Sequence, residues 1–197
     1  MNYVKIKVNY FIYFLLLISL YIGMFKEYLS IFLIVLFHEL CHIITIKIFK
    51  GKIRTINISP IGCLIEFNKN NLLKYQKIII YCMGIIGNFI LLLILKENYL
   101  IKFNKFMIAF NLLIIFPLDG YRIIYEILDI FYEPEYLNDI MLVVVIINII
   151  IFSIIILSLK YYGYFIIVLY LLFKNIKNFI ESKKKNKMLF LKYLTRL

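Results

Sequence analysis

The sequence predicts an all-α polytopic membrane protein with about six transmembrane helices, a small β-hairpin between the second and third, and both termini in the cytosol. Three observations predict it. The chain has 197 residues, of which 64% are hydrophobic, and a mean hydropathy of +0.93. A soluble domain of this size fills its core with far fewer apolar residues, so the excess must face lipid. The apolar residues fall in six runs, and a helix needs about 20 to cross the hydrocarbon layer. The 23 Lys and Arg residues gather at the ends of those runs. The net charge of +12 therefore reads as membrane topology and not as a nucleic-acid surface.

The first run, Tyr10 to Phe25, begins with basic residues as a signal peptide does, but no small-residue cleavage site follows, so it reads as a retained span. The second, Tyr28 to Phe49, contains both histidines of the chain. After it, Lys52 to Ser59 alternates polar and apolar residues as a strand does, Pro60-Ile61-Gly62 marks a turn, and Cys63 to Phe67 suits a return strand. The third span is Lys77 to Leu95. The fourth, Phe103 to Leu118, is short and ends in Pro117 and Gly120, which break helices. The fifth is Ile140 to Leu159 and the sixth Tyr161 to Phe173, with a helix able to continue past Lys174. Residues 1–180 then form one membrane-embedded domain and residues 181–197 a basic cytosolic tail, suited to an anionic membrane surface or to solvent. With the N-terminus inside, only Lys26, Lys96, Lys102, Lys105 and Lys160 fall outside, and every other basic residue is cytosolic. Cys41, Cys63 and Cys82 form no paired framework and read as reduced and buried.

The chemistry lies in His38-Glu39-Leu40-Cys41-His42. Intramembrane ionisable residues are costly and mark function by default. On a helix, histidines at i and i+4 share a face and can grip one cation, with Glu39 beside them as general base. Cys41 points off that face, which suits packing. This is the H-E-x-x-H signature of zinc hydrolases, and zinc held by two histidines needs at least one more protein ligand and an open position for water. The acidic candidates are Glu66 in the hairpin, Asp119 in Phe116-Pro-Leu-Asp-Gly120, and Glu126, Asp129, Glu133 and Glu135 in a loop beyond it. The second and fourth spans both run inward, so Asp119 reaches the cytosolic side where the histidines lie. From the residues alone, Asp119 as a ligand and Asp119 as a solvated aspartate of a helix-ending turn are equally good readings.

Together these pieces resemble the site-2 protease family of intramembrane metalloproteases, and most of all its sporulation type, stage IV sporulation protein FB. Three motifs carry the resemblance in order: His38 to His42; Gly84-Ile-Ile-Gly-Asn88, similar to a G-x-x-x-N element; and Asn111-Leu-Leu-Ile-Ile-Phe-Pro-Leu-Asp119-Gly120, similar to N-x-x-P-x-x-P-L-D-G. The hairpin Ile53 to Phe67 resembles the family's membrane-associated β-segment, and the likeness spans roughly residues 10–180. It implies one Zn2+ held by His38, His42 and Asp119, Glu39 as catalytic base, and Asn88 and Asn111 as polar support near the substrate or site. Cys41, Ile85, Ile114 and Tyr121 depart from the family pattern without removing a ligand or the base. The sporulation type often carries a C-terminal nucleotide-sensing CBS domain, and the resemblance leads here to the expectation of a form without it.

The expected activity is therefore zinc-dependent peptide hydrolysis in a bacterial cytoplasmic membrane, the site opening toward the cytosol. The expected partners are a membrane-associated protein substrate, such as a sigma-factor pro-sequence, the lipid bilayer, and a membrane-protein inhibitor or regulator; nucleic acid is not among them. Two alternatives stand beside it: a membrane zincin that uses a downstream glutamate such as Glu126, and a catalytically inactive scaffold. A metal transporter would need polar residues along several spans, and the fifth and sixth offer only Asn148, Ser153 and Ser158.

Overall fold

The fold is that of a computed structural model, which describes residues 4–59, 62–158 and 165–194. The chain is mostly helical with one small sheet, and it divides into two compact units, Met1–Asn111 and Leu112–Leu197. Pro60 and Ile61 of the predicted turn, Lys160, the start of the sixth predicted span and Arg196 lie outside the described residues.

In the first unit, β1 (Lys5–Val8) is followed by α1 (Phe11–Ile22) and α2 (Phe25–Ile48). Then come β2 (Ile53–Ser59), β3 (Gly62–Phe67), α3 (Lys74–Leu92) and α4 (Asn98–Leu112). The expected hairpin is β2 and β3, paired antiparallel with Ile56 opposite Ile65 and Ser59 opposite Gly62. Ile65 of β3 is buried, and β3 packs against α2. The third strand is an addition to the predicted architecture. Lys5-Ile6-Lys7-Val8 runs parallel to Thr55–Ile58, and the sheet order is β1-β2-β3. A parallel pair needs a long crossover, and here α1 and α2 supply it.

α2 packs against α1 and, more extensively, α3. At about 1.5 Å per residue, its 24 residues span about 36 Å, which exceeds the hydrocarbon core of about 30 Å. Among the described residues, three helices are long and apolar enough to cross a membrane: Phe25–Ile48, Lys74–Leu92 and Tyr136–Ile155. Their most apolar windows are only 28%, 33% and 22% buried, so most of each surface is open to lipid. Gln76 accepts a hydrogen bond from the Leu73 N–H at 3.0 Å, fixing the start of α3.

The second unit contains α5 (Asp119–Leu128), α6 (Pro134–Ser158) and α7 (Phe165–Leu194). α6 and α7 pack along one another through Val145, Ile149, Val168 and Leu171, and Ile115 from the segment before α5 joins this core. Pro134 opens α6, where a residue without an N–H costs nothing. α7 runs on through Lys174 to Leu194, so the sixth predicted span and the expected tail share one helix. Lys183 Nζ meets Asp139 Oδ1 of α6 at 2.8 Å. Where the sequence suggested a loop after Asp119, ten residues form a helix, because Tyr121, Ile124, Tyr125 and Leu128 repeat at helical spacing.

Candidate metal centre

α2 carries the histidines near its middle, and its helical repeat places His38 and His42 on one face, both buried. Their Nε2 atoms are 3.2 Å apart. His42 Nδ1 lies 2.7 Å from the Ile80 carbonyl oxygen of α3. A carbonyl only accepts, so Nδ1 holds the proton and Nε2 presents its lone pair toward His38. A tetrahedral zinc ion with Zn–N of about 2.0–2.1 Å holds two ligand nitrogens about 3.3 Å apart. The observed separation fits that edge, and it also fits an N–H···N bond from His38 to His42. Either way the donor set suits a divalent cation, since both nitrogens converge and one of them is fixed as an acceptor.

Gly84 makes this approach possible. A Cβ at Gly84 would meet His42 Nε2 and would fall 2.7 Å from His38 Cε1. α3 can therefore lie against the two rings only where its backbone carries no side chain. Cys41 packs its sulfur over Gly87, one turn of α3 beyond the glycine that meets the histidine rings. Glu39 is half-buried. Asn88, one turn beyond Gly84, is 0% exposed, and neither its side-chain nitrogen nor its oxygen has a hydrogen-bond partner among the described residues. Its backbone oxygen accepts from Asn104 Nδ2 of α4 at 2.8 Å. Asn104, fully buried, was not singled out from the sequence, where it stands between Lys102 and Lys105 and reads as part of a polar flank. Asn111, also in α4, is half-buried and donates to the Met107 carbonyl of its own helix at 3.1 Å.

In the second unit Asp119 is the first residue of α5 and is 4% exposed. A carboxylate suits a helix N-terminus, whose free N–H groups carry partial positive charge. Arg122 Nη1 lies 3.8 Å from Asp119 Oδ1. Glu126, two turns further along α5, is also buried. Tyr121 and Tyr125 stack at 6.1 Å on the same helix. Burial pushes the Tyr125 hydroxyl up to about 12, with Asp129, Tyr121 and Glu126 adding to the shift, and burial raises Tyr121 against a hydrogen bond from Asn178. Both phenols are therefore neutral donors at ordinary pH. Of the other acidic candidates, Glu66 is exposed and accepts from Thr55 Oγ1 at 2.6 Å across the hairpin, and Glu133 is exposed.

No protein-family model and no curated protein sequence matches the chain. Among solved structures, it is similar to the site-2 protease from Methanocaldococcus jannaschii, with a TM-score of 0.62 and 23% identity. The similarity covers 90% of this chain and 92% of that one, so the two share a fold across both units.

Gly84→Ala sets a methyl group against both imidazoles. It is expected to weaken the binding of a divalent metal by about 10- to 100-fold, the usual effect of disturbing groups that orient metal ligands. Chelator competition on the purified full chain measures this, and wild-type affinity would contradict the close approach of α3.

Proposed function

We propose that this chain is an intramembrane zinc metalloprotease of the site-2 protease type, cleaving a membrane-associated protein. The observation that carries it is the buried His38–His42 pair on a membrane-length helix, with His42 fixed by the Ile80 carbonyl so that its Nε2 faces that of His38. The likeness in fold to a site-2 protease supports the same reading.

His38 and His42 would hold the zinc with Asp119 as third ligand, as the resemblance implies, and each of the three is buried. Bound there, zinc supplies Lewis acidity, which lowers the pKa of water toward about 7 and polarises a carbonyl. Glu39, adjacent to His38 in the sequence, takes the proton of the attacking water and returns it to the leaving amine. Asn88, buried with amide groups to offer, and Asn111 support the substrate or the site. A substrate must unwind to expose a peptide bond, and the sheet order leaves the outer edge of β3 to take an added strand.

The finer assignment follows the resemblance. The chain is of the sporulation type, spans the bacterial cytoplasmic membrane about six times with both termini and the site toward the cytosol, and acts on a substrate such as a sigma-factor pro-sequence under a membrane-protein regulator. Residues 1–180 form the protease domain and 181–197 the basic tail. A zincin using Glu126 as third ligand is favoured by one observation, the burial of that carboxylate. An inactive scaffold would bind metal without cleaving.

Glu39→Gln is expected to retain zinc and to lose at least about 100-fold in cleavage of a co-expressed membrane substrate, the low end for a lost general base. Wild-type cleavage by this variant would overturn the assignment, and a wild-type chain that binds zinc but never cleaves would support the scaffold. Asp119→Ala should lose zinc and Glu126→Ala should keep it; the reverse result selects the zincin.

A further inference from the structure

α4 ends at Leu112 and α5 begins at Asp119, which leaves residues 113–118 outside both helices, with the Leu118 carbonyl taken up by the Arg122 N–H at 3.4 Å. This stretch is packed inside the second unit: Ile115 is 0% exposed, and Phe116 and Leu118 are half-buried. Buried peptide groups must find partners, and each one left unpaired inside a membrane is costly. Pro117 has no N–H to satisfy. Leu118 N–H turns back to the Ile115 carbonyl at 2.9 Å. The Phe116 N–H and carbonyl and the Ile114 N–H are met by asparagines on the two neighbouring helices. Asn175 of α7 accepts from the Phe116 N–H at 2.9 Å through Oδ1 and donates to the Phe116 carbonyl at 3.0 Å through Nδ2. Asn148 of α6 accepts from the Ile114 N–H at 3.4 Å.

The pairing at Phe116 has a specific character. One carboxamide takes both the donor and the acceptor of a single residue, as a neighbouring strand does in a sheet. Asn175 is itself held: its Nδ2 also donates to the Leu171 carbonyl one turn back at 2.7 Å, and the residue is 6% exposed. Asn148 is anchored in the same way, donating to the Val144 carbonyl at 3.1 Å. Gly120 admits the first turn of α5 close to the end of α4, since a Cβ there would fall 2.7 Å from the Leu113 carbonyl oxygen. The segment is thus fixed from both sides, immediately before the residue whose carboxylate matters.

We propose that Asn175, assisted by Asn148, is a positioning residue for Asp119: its two hydrogen bonds to Phe116 set the path of the unwound segment and so the place where the Asp119 carboxylate is delivered. This rests on the reading of Asp119 as a metal ligand. A leucine at position 175 would fill nearly the same volume while leaving both Phe116 peptide groups unpaired. The segment would then have to find other partners and carry Asp119 with it.

The test uses the full chain in detergent or nanodiscs, with Co2+ alone as the probe, read by chelator competition and by the cobalt absorption spectrum. Asn175→Leu and Asn175→Ala are expected to keep the helical circular dichroism, to bind Co2+ about 10- to 100-fold more weakly, and to show a shifted cobalt spectrum. Asn175→Gln, which keeps both amide functions, is expected to recover part of the affinity. Ser153→Ala, on α6 with its hydroxyl donating to the Ile149 carbonyl of its own helix, serves as the control and should match wild type. Wild-type affinity and spectrum in the folded leucine variant would overturn the proposal. Should the leucine and alanine variants fail to fold, the glutamine variant and Asn148→Ala carry the test, and wild-type Co2+ spectra in both would overturn it. Asp119→Asn separates the two readings. If it leaves Co2+ binding unchanged, the ligand assignment falls and the positioning role falls with it. If it weakens binding while the position-175 variants do not, only the positioning role falls.

Discussion

In an apolar surrounding every peptide N–H and carbonyl must be satisfied by the chain itself, and most features of this protein follow from that constraint. Helices satisfy it locally, which is why the long apolar runs are helical and why histidines four positions apart meet on one face. Where the helix stops, at residues 113–118, the peptide groups remain and the solution must come from elsewhere. Asn148 and Asn175 provide it for Ile114 and Phe116, and this gives each of these asparagines a structural reason.

The same constraint shapes the histidine pair. The Ile80 carbonyl lies in α3 yet also accepts from His42 Nδ1, so a backbone group of one helix sets the tautomer of a side chain on another. That contact requires α2 and α3 to lie close, and Gly84 permits the approach at the level of the rings. A site assembled this way is held by backbone, which moves less than side chains do. A divalent cation would gain from it, because ligand nitrogens pre-set near 3.2 Å need little rearrangement to accept an ion.

Much of this was legible in the sequence, and the limits have physical reasons. The H-E-x-x-H spacing needs only a helix to place both histidines together, and a run as apolar as α2 is helical in a membrane. The hairpin showed through alternation over eight residues from Lys52 to Ser59. The four residues of β1 also alternate, but Lys5 and Lys7 read equally well as the basic flank of a span, and its partner lies fifty residues away. α5 was hidden because Asp119, Arg122, Glu126 and Asp129 look like a loop, although their spacing leaves an apolar face. Asn175 could not have been found: its role depends on a contact 59 residues distant. For Asp119 the residues alone left two readings. The structure makes the carboxylate buried at a helix start, which disfavours the solvated one.

The central claim is that one zinc ion is held by two imidazoles of α2 and one carboxylate. X-ray absorption at the zinc edge on the metal-loaded full chain tests it most directly. The account predicts a first shell of nitrogen and oxygen at about 2.0–2.2 Å with the multiple-scattering pattern of two imidazoles. A sulfur shell at about 2.3 Å, which would draw in Cys41, or a spectrum without imidazole scattering, would contradict it.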